Sequence, residues 1–121
     1  MSTRDLVQSY YNSLKNKKDK WQELYSEDAN FTDASQTLNA KGKTEVIKSF
    51  TPFLKGVESV KVKQIIIEDE YACVVVSYNY INPKGEKMSQ DVAEVWEVKD
   101  EKLAKLTIYF DLTAYSKFMR G

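Results

Sequence analysis

Two carboxylates on predicted strands, one at a strand end and one in an apolar strand face, are this chain's first candidates for chemistry. The 121 residues include no histidine and one cysteine, Cys73, which excludes histidine-dependent nucleophiles, histidine zinc sites and an internal disulfide. No glycine-rich phosphate loop is present. Acid–base chemistry would therefore depend on carboxylates, tyrosines and lysines. Asp33 closes a predicted strand, and Glu94 interrupts an otherwise apolar strand face.

Glu94 shares its predicted strand face with four large apolar residues, Met88, Val92, Trp96 and Val98. A carboxylate without a partner is costly to bury, and it tends to stay protonated or to find a hydrogen-bonding partner. The pattern therefore predicts an inward-facing acid in an apolar environment. The alternative is a bulge or a register shift that turns Glu94 to solvent.

Asp33 ends the stretch 21–33, which predicts a short helix, a polar turn and a strand through Phe31. A carboxylate at this strand end is suited to the mouth of a cavity. Alternatively, Asp33 is a turn residue whose carboxylate binds nearby backbone amides. Tyr10 lies on the apolar face of the first predicted helix, so it points into the fold as a core or a cavity residue.

The elements that must position these residues are helices first and strands afterwards. A helix capped by Ser2 or Thr3 fades near Asn16, and another runs from a Thr44 cap to Gly56. The hydrophobic period then changes to two, which predicts strands over residues 57–67, 71–81, 87–98 and 103–110. Residues 34–43 read as a loop, and Asp111 caps a last helix over residues 112–119. This order predicts an α+β fold with helices on one face of a curved, mainly antiparallel sheet.

The predicted strand 71–81 is apolar on both faces. One face carries Val74, Val76, Tyr78 and Tyr80, and the other carries Cys73 and Val75. A sheet with one covered face would alternate more cleanly, so a second layer is needed. We therefore predict a homodimer through the outer sheet face.

Bulk composition limits the partners and the compartment. With 18 basic and 18 acidic residues the net charge is zero, so neither a nucleic acid nor a membrane surface is an expected partner. No apolar run approaches the length of a signal peptide core or a membrane span, and the single cysteine fits a reducing compartment. We expect one domain over residues 1–121 in the cytoplasm.

Five segments, in their order and spacing, resemble the nuclear transport factor 2-like superfamily, which includes ketosteroid isomerase and the SnoaL-like polyketide cyclases. They are VQSYYNSL, WQELYSEDANFTD, GKTEVI, VAEVWEVKDEKL and IYFD. The resemblance spans nearly the whole chain and implies a single SnoaL-like domain with the cone-shaped, cystatin-like fold, whose mixed-edge sheet wraps the N-terminal helices. It does not transfer a function, because this fold hosts many unrelated activities.

The resemblance also implies roles for individual residues. Asp33 matches the general base of ketosteroid isomerase, although Ala34 stands where that enzyme has proline. Tyr10 matches the oxyanion tyrosine, and Glu94 matches the protonated acid. In SnoaL-like cyclases an acid near the end of the last strand does the work, and Asp111 is the nearest match.

Two functions remain open at this point. One is a cofactor-independent and metal-free isomerase or cyclase that transfers a proton on a small apolar carbonyl compound. Its cavity would bind the ligand with four aromatic residues, Trp96, Phe50, Tyr25 and Phe110. The other is a non-catalytic ligand-binding or dimeric interaction module of the same fold. An open cavity that joins Asp33, Tyr10 and Glu94 would favour the enzyme.

Overall fold

Three helices and an open, curved six-stranded sheet make up the fold, in a computed structural model that describes all 121 residues. This confirms the predicted α+β class. The helices are α1 (Thr3–Lys15), α2 (Lys43–Lys55) and α3 (Leu112–Arg120), with a short 3-10 helix at Lys20–Leu24. The strands are β1 (Tyr25–Asp33), β2 (Asn39–Lys41), β3 (Val57–Glu68), β4 (Tyr71–Ile81), β5 (Lys87–Lys99) and β6 (Lys102–Tyr109).

The strand order across the sheet is β2-β1-β6-β5-β4-β3. Strands β3 to β6 form an antiparallel meander, and β1 runs parallel to β6, which makes the sheet mixed at that edge. The pairing of β4 with β5 places Val74 opposite Glu94 and Val76 opposite Val92. Since both valines are fully buried, this register sets Glu94 on the buried face of the sheet.

The two faces of the sheet differ in what covers them. On β4 the even-numbered positions are buried under α1 and α2, where the ring centroids of Tyr10 and Trp96 lie 4.8 Å apart and those of Phe53 and Tyr78 lie 5.2 Å apart. The odd-numbered positions, from Cys73 onward, are half-buried on the opposite, convex face. We call the covered side the concave face, and it carries the hydrophobic core.

Three local predictions are wrong. The polar turn predicted within the stretch 21–33, at residues 26–28, belongs to β1, which already begins at Tyr25. Residues 39–41, predicted as loop, form β2 and pair with β1, although only Ala40 among them is buried. The cap of α2 is Gly42 rather than Thr44, and its φ of 91° is a conformation that favours glycine. The helix then continues through Pro52 to Lys55.

The predicted caps of the other two helices are confirmed. The Ser2 hydroxyl accepts a hydrogen bond from the Asp5 amide at 3.0 Å, and Asp111 Oδ1 accepts one from the Ala114 amide at 2.9 Å. None of the helices combines the length and the apolar character needed to cross a bilayer.

Candidate functional site

A cavity of about 390 Å³ lies between the concave face, α2 and α3. Its volume falls in the range of small-molecule sites. Of its 18 lining residues, seven are aromatic: Phe31, Phe50, Phe53, Tyr78, Tyr80, Phe110 and Tyr115. Glu94 is the one acidic residue in the wall, and no lysine or arginine lines it.

Two tyrosine hydroxyls bind the carboxyl group of Glu94, one from α1 and one from β4. Its side chain is buried, with 2% of the residue exposed. The Tyr11 hydroxyl, which comes from α1, donates to Oε1 and accepts a hydrogen bond from Trp96 Nε1 at 2.9 Å. The Tyr78 hydroxyl lies 3.0 Å from Oε2 and 3.2 Å from Oε1. The carboxyl group therefore has a fixed orientation between α1 and the cavity.

Burial raises the pKa of the Glu94 carboxyl to about 7, although the hydrogen bonds from Tyr11 and Tyr78 work in the opposite direction. Burial, reinforced by the nearby Glu94 charge, raises the pKa values of the Tyr11 and Tyr78 hydroxyls well above 10. The tyrosines therefore stay protonated as donors, and Glu94 is the group of this trio that changes charge near neutral pH.

The outer part of the cavity wall carries two more tyrosines. The Tyr80 hydroxyl donates to Gln90 Oε1 at 2.9 Å, and Gln90 Nε2 donates to the Asp111 carbonyl at 3.1 Å, which ties β5 to the start of α3. Tyr115 of α3 packs its ring 5.0 Å from that of Tyr80. Tyr115 also lines the cavity, and its hydroxyl makes no hydrogen bond within the protein.

Residues 7–106 match the family model of the SnoaL-like domain. This chain belongs to the SnoaL-like family, within the nuclear transport factor 2-like superfamily. None of the curated proteins matches its sequence.

Solved structures repeat the fold of this SnoaL-like domain at low sequence identity. A protein described as a SnoaL-like polyketide cyclase from Jannaschia sp. CCS1 has a TM-score of 0.83 at 14% identity, over 97% of this chain and 90% of that one. TerC, crystallised with polyporic acid, has a TM-score of 0.81 at 11% identity, over 98% of both chains. A protein described as a ketosteroid isomerase from Kribbella flavida DSM 17836 has a TM-score of 0.75 at 17% identity, over 90% and 77% of the two chains. At these identities the likeness shows the fold alone.

In this SnoaL-like domain the predicted convergence of Asp33, Tyr10 and Glu94 on one cavity is wrong, because Glu94 alone of the three lines it. Tyr10 lies behind the cavity in the core, where its hydroxyl accepts a hydrogen bond from the Tyr25 hydroxyl at 3.0 Å. Tyr25 and Trp96 belong to the same buried aromatic cluster. Of the four predicted ligand-binding aromatics, Phe50 and Phe110 line the cavity, and Tyr25 and Trp96 do not.

The two aspartates have local structural partners. Asp33 is buried at the end of β1, and its carboxylate accepts hydrogen bonds from the Ser35 hydroxyl and, at 2.8 Å, from the Leu38 amide. Burial by itself would raise the pKa of Asp33, but these hydrogen bonds lower it below its usual value. Asp111 caps α3 and does not line the cavity. The catalytic roles that the resemblance implies for Asp33, Tyr10 and Asp111 stay predictions.

Sequence reasoning missed the two tyrosines that bind Glu94. Tyr11 lies in the same apolar stripe as Tyr10, and Tyr78 lies on the concave face of β4. The signal that could have identified them is a tyrosine in the apolar stripe of α1 and another on the concave face of β4, the strand next to that of Glu94.

Proposed function

We propose that this SnoaL-like domain binds a small, mostly apolar carbonyl compound in the cavity and transfers a proton on it through Glu94, without a cofactor. The observation that carries the proposal is one buried carboxyl group, with a pKa of about 7, in the wall of an aromatic cavity. A group that titrates near neutral pH can both take a proton from carbon and return it.

The hydrogen bonds of Glu94 favour one oxygen as the base. Oε1 accepts from Tyr11, and the single Tyr78 hydroxyl proton is shared between Oε2 at 3.0 Å and Oε1 at 3.2 Å. A carboxylate oxygen has two lone-pair sites, so Oε2 keeps one for the substrate. In the proposed step Oε2 takes a proton from the carbon next to the carbonyl group, and the electron pair of the broken C–H bond forms the enolate. Return of the proton to the same carbon exchanges it, and in a β,γ-unsaturated carbonyl compound return to the γ-carbon shifts the double bond and completes an isomerisation.

The enolate oxygen needs a hydrogen-bond donor, and Tyr115 is the candidate. Tyr115 lines the same cavity, and its hydroxyl has no hydrogen-bond partner in the protein. A donor aimed at a developing oxyanion typically contributes about 10²–10³-fold to the rate.

Deuterium exchange at the α-carbon of 2-tetralone, followed by NMR in D₂O, tests the proposal. The wild-type protein should accelerate the exchange, and the rate should rise with pH through about 7 as Glu94 ionises. Glu94→Gln should lower the catalysed rate by roughly 10²–10⁴-fold. The matched control is Glu97→Gln, on the same strand but on the convex face, and it should leave the rate unchanged. Exchange at the buffer rate, or full activity in Glu94→Gln, would overturn the catalytic proposal, and tetralone binding without exchange would support the ligand-binding module.

We also propose that the convex face forms a homodimer. Three of the five exposed large hydrophobic residues lie on it: Ile66 at 53%, Tyr71 at 54% and Tyr109 at 50% exposure. Val95 lies between them, next to Cys73 in the strand register. Sedimentation equilibrium at micromolar concentration should give twice 14.0 kDa, and Val95→Glu should give the monomer mass. A monomeric wild-type protein would contradict this.

The cytoplasm is the proposed location, because a lone cysteine on a half-buried strand face fits a reducing compartment. Fractionation of cells that express the chain should place it with cytoplasmic markers, and recovery outside that fraction would contradict the proposal.

A further inference from the structure

The charge of the cavity wall is unbalanced. Glu94 supplies one negative charge when it ionises, and neither a lysine nor an arginine lines the cavity to compensate it. The groups that stabilise the carboxylate are the neutral hydroxyls of Tyr11 and Tyr78. Burying a charge that has no opposite charge is costly. An uncharged substrate would leave this charge uncompensated, an anionic one would double it, and a cationic one would neutralise it.

The rest of the wall suits a cation as well. Aromatic faces attract ammonium groups through the ring quadrupole, and this attraction is strongest where water is excluded. The rings of Phe50 and Phe53 stack at 5.3 Å, and Tyr80 and Tyr115 lie beside Phe53 at 5.9 Å and 5.7 Å. These four rings and Glu94 line the same cavity, so a positive group bound there would lie near both the aromatic rings and the carboxylate.

We infer that the substrate of this cavity carries a basic nitrogen and binds as an organic ammonium ion. This inference rests on the proposed function and names its substrate class: an apolar carbonyl compound with an amine. Both the charge of Glu94 and the aromatic wall favour this class over neutral and anionic compounds of the same shape.

The ammonium group also suits the proton transfer. When Glu94 Oε2 takes the proton from carbon, the negative charge moves from the carboxylate to the enolate. The ammonium group keeps its protons and stays positive, so the cavity remains neutral before and after the step. It would stabilise the enolate, which no cationic side chain of the cavity wall can do.

Three probes of nearly the same shape test the inference by isothermal titration calorimetry: 2-naphthylmethylamine, 2-naphthylmethanol and 2-naphthoate. Above the Glu94 pKa of about 7, the amine should bind at least about tenfold more tightly than the alcohol, and the carboxylate should bind most weakly. Glu94→Gln should lose most of the preference for the amine, because only the aromatic wall still favours it, while it keeps its affinity for the alcohol. Glu97→Gln, on the convex face, should keep the preference for the amine.

The outcomes separate this inference from the proposed function. If the alcohol binds as tightly as the amine to the wild-type protein, the cationic class is wrong, and binding in the cavity survives. If Glu97→Gln loses the preference as Glu94→Gln does, the amine binds outside the cavity and the inference fails. If no probe binds, ligand binding by the cavity fails, and the inference fails with it.

Discussion

Glu94 and Asp91 lie three residues apart on β5, on opposite faces of the sheet, and their surroundings differ in every respect. Asp91 is on the convex face, where Oδ2 binds Lys63 Nζ at 2.9 Å with both side chains about half exposed. That hydrogen bond lowers the pKa of Asp91. Glu94 is on the concave face with two tyrosine hydroxyls and no cation, and burial raises its pKa to about 7.

One strand thus holds two kinds of acid. Alternation sends successive side chains to opposite faces, so an odd spacing of three separates a solvated ion pair from a buried acid. The helices α1 and α2 cover only the concave face, and we attribute the raised pKa of Glu94 to that cover.

The largest expected effect concerns Glu94 and the pH dependence of stability. The pKa of Glu94 in the folded protein lies above its ordinary value. The stability that Glu94 contributes is therefore fully present below pH 4.5 and is lost as the pH rises through about 7. The rise from 4.5 to about 7 corresponds to ~3 kcal/mol. In urea unfolding, the free energy of unfolding of Glu94→Gln relative to that of the wild type should therefore increase by ~3 kcal/mol from acidic to mildly alkaline pH. A difference that is independent of pH would contradict the buried-acid account.

A smaller effect is expected from Tyr11→Phe. It removes the donor to Glu94 Oε1 and the acceptor of Trp96 Nε1, so the free energy of unfolding should fall by about 1–3 kcal/mol. The pKa of Glu94 should rise further, because the Tyr11 hydrogen bond lowers it. Tyr10→Phe is the matched control, since the Tyr10 hydroxyl binds Tyr25 and not Glu94. Equal shifts of the Glu94 titration in both variants would argue against Tyr11 as its specific partner.

The smallest effect is expected on the convex face. Asp91→Asn removes an exposed ion pair, and such pairs contribute little to stability and are screened by salt. Its urea midpoint should stay close to that of the wild type, and any difference should vanish in high salt. A loss as large as that of Tyr11→Phe would contradict a solvated ion pair and would place Asp91 inside the proposed dimer interface.

The sequence was sufficient for the strand faces but not for the contacts across layers. The apolar stripe of β5 predicts the inward direction of Glu94, because the side-chain period of a strand is two. The stripe does not predict which side chains form hydrogen bonds with Glu94. Tyr10 and Tyr11 both belong to the apolar stripe of α1, and the rotation of the helix against the sheet decides which one reaches Glu94. That rotation is set by packing of the whole layer.

Tyr78 and β2 were missed for different reasons. In the register Tyr78 pairs with Gln90, so its hydroxyl reaches Glu94 only because the ring lies along the strand. The pairing pattern alone does not predict such a contact. Strand β2 has three residues with one buried side chain, too few for an alternation to be recognised. Asp33 ends its strand as predicted, but the turn that follows supplies its hydrogen-bond donors and keeps it out of the cavity wall.

The most direct test of the central claim is a carbon-detected NMR titration of the side-chain carboxyl groups, with the Glu94 signal assigned by its absence in Glu94→Gln. We expect that signal to titrate with a midpoint of about 7, well above the ordinary value of 4.5. Asp91, in the same spectra, should titrate below its ordinary value of 3.8. A Glu94 midpoint at or below 4.5 would contradict the claim that the concave face holds a buried acid poised for proton transfer near neutral pH.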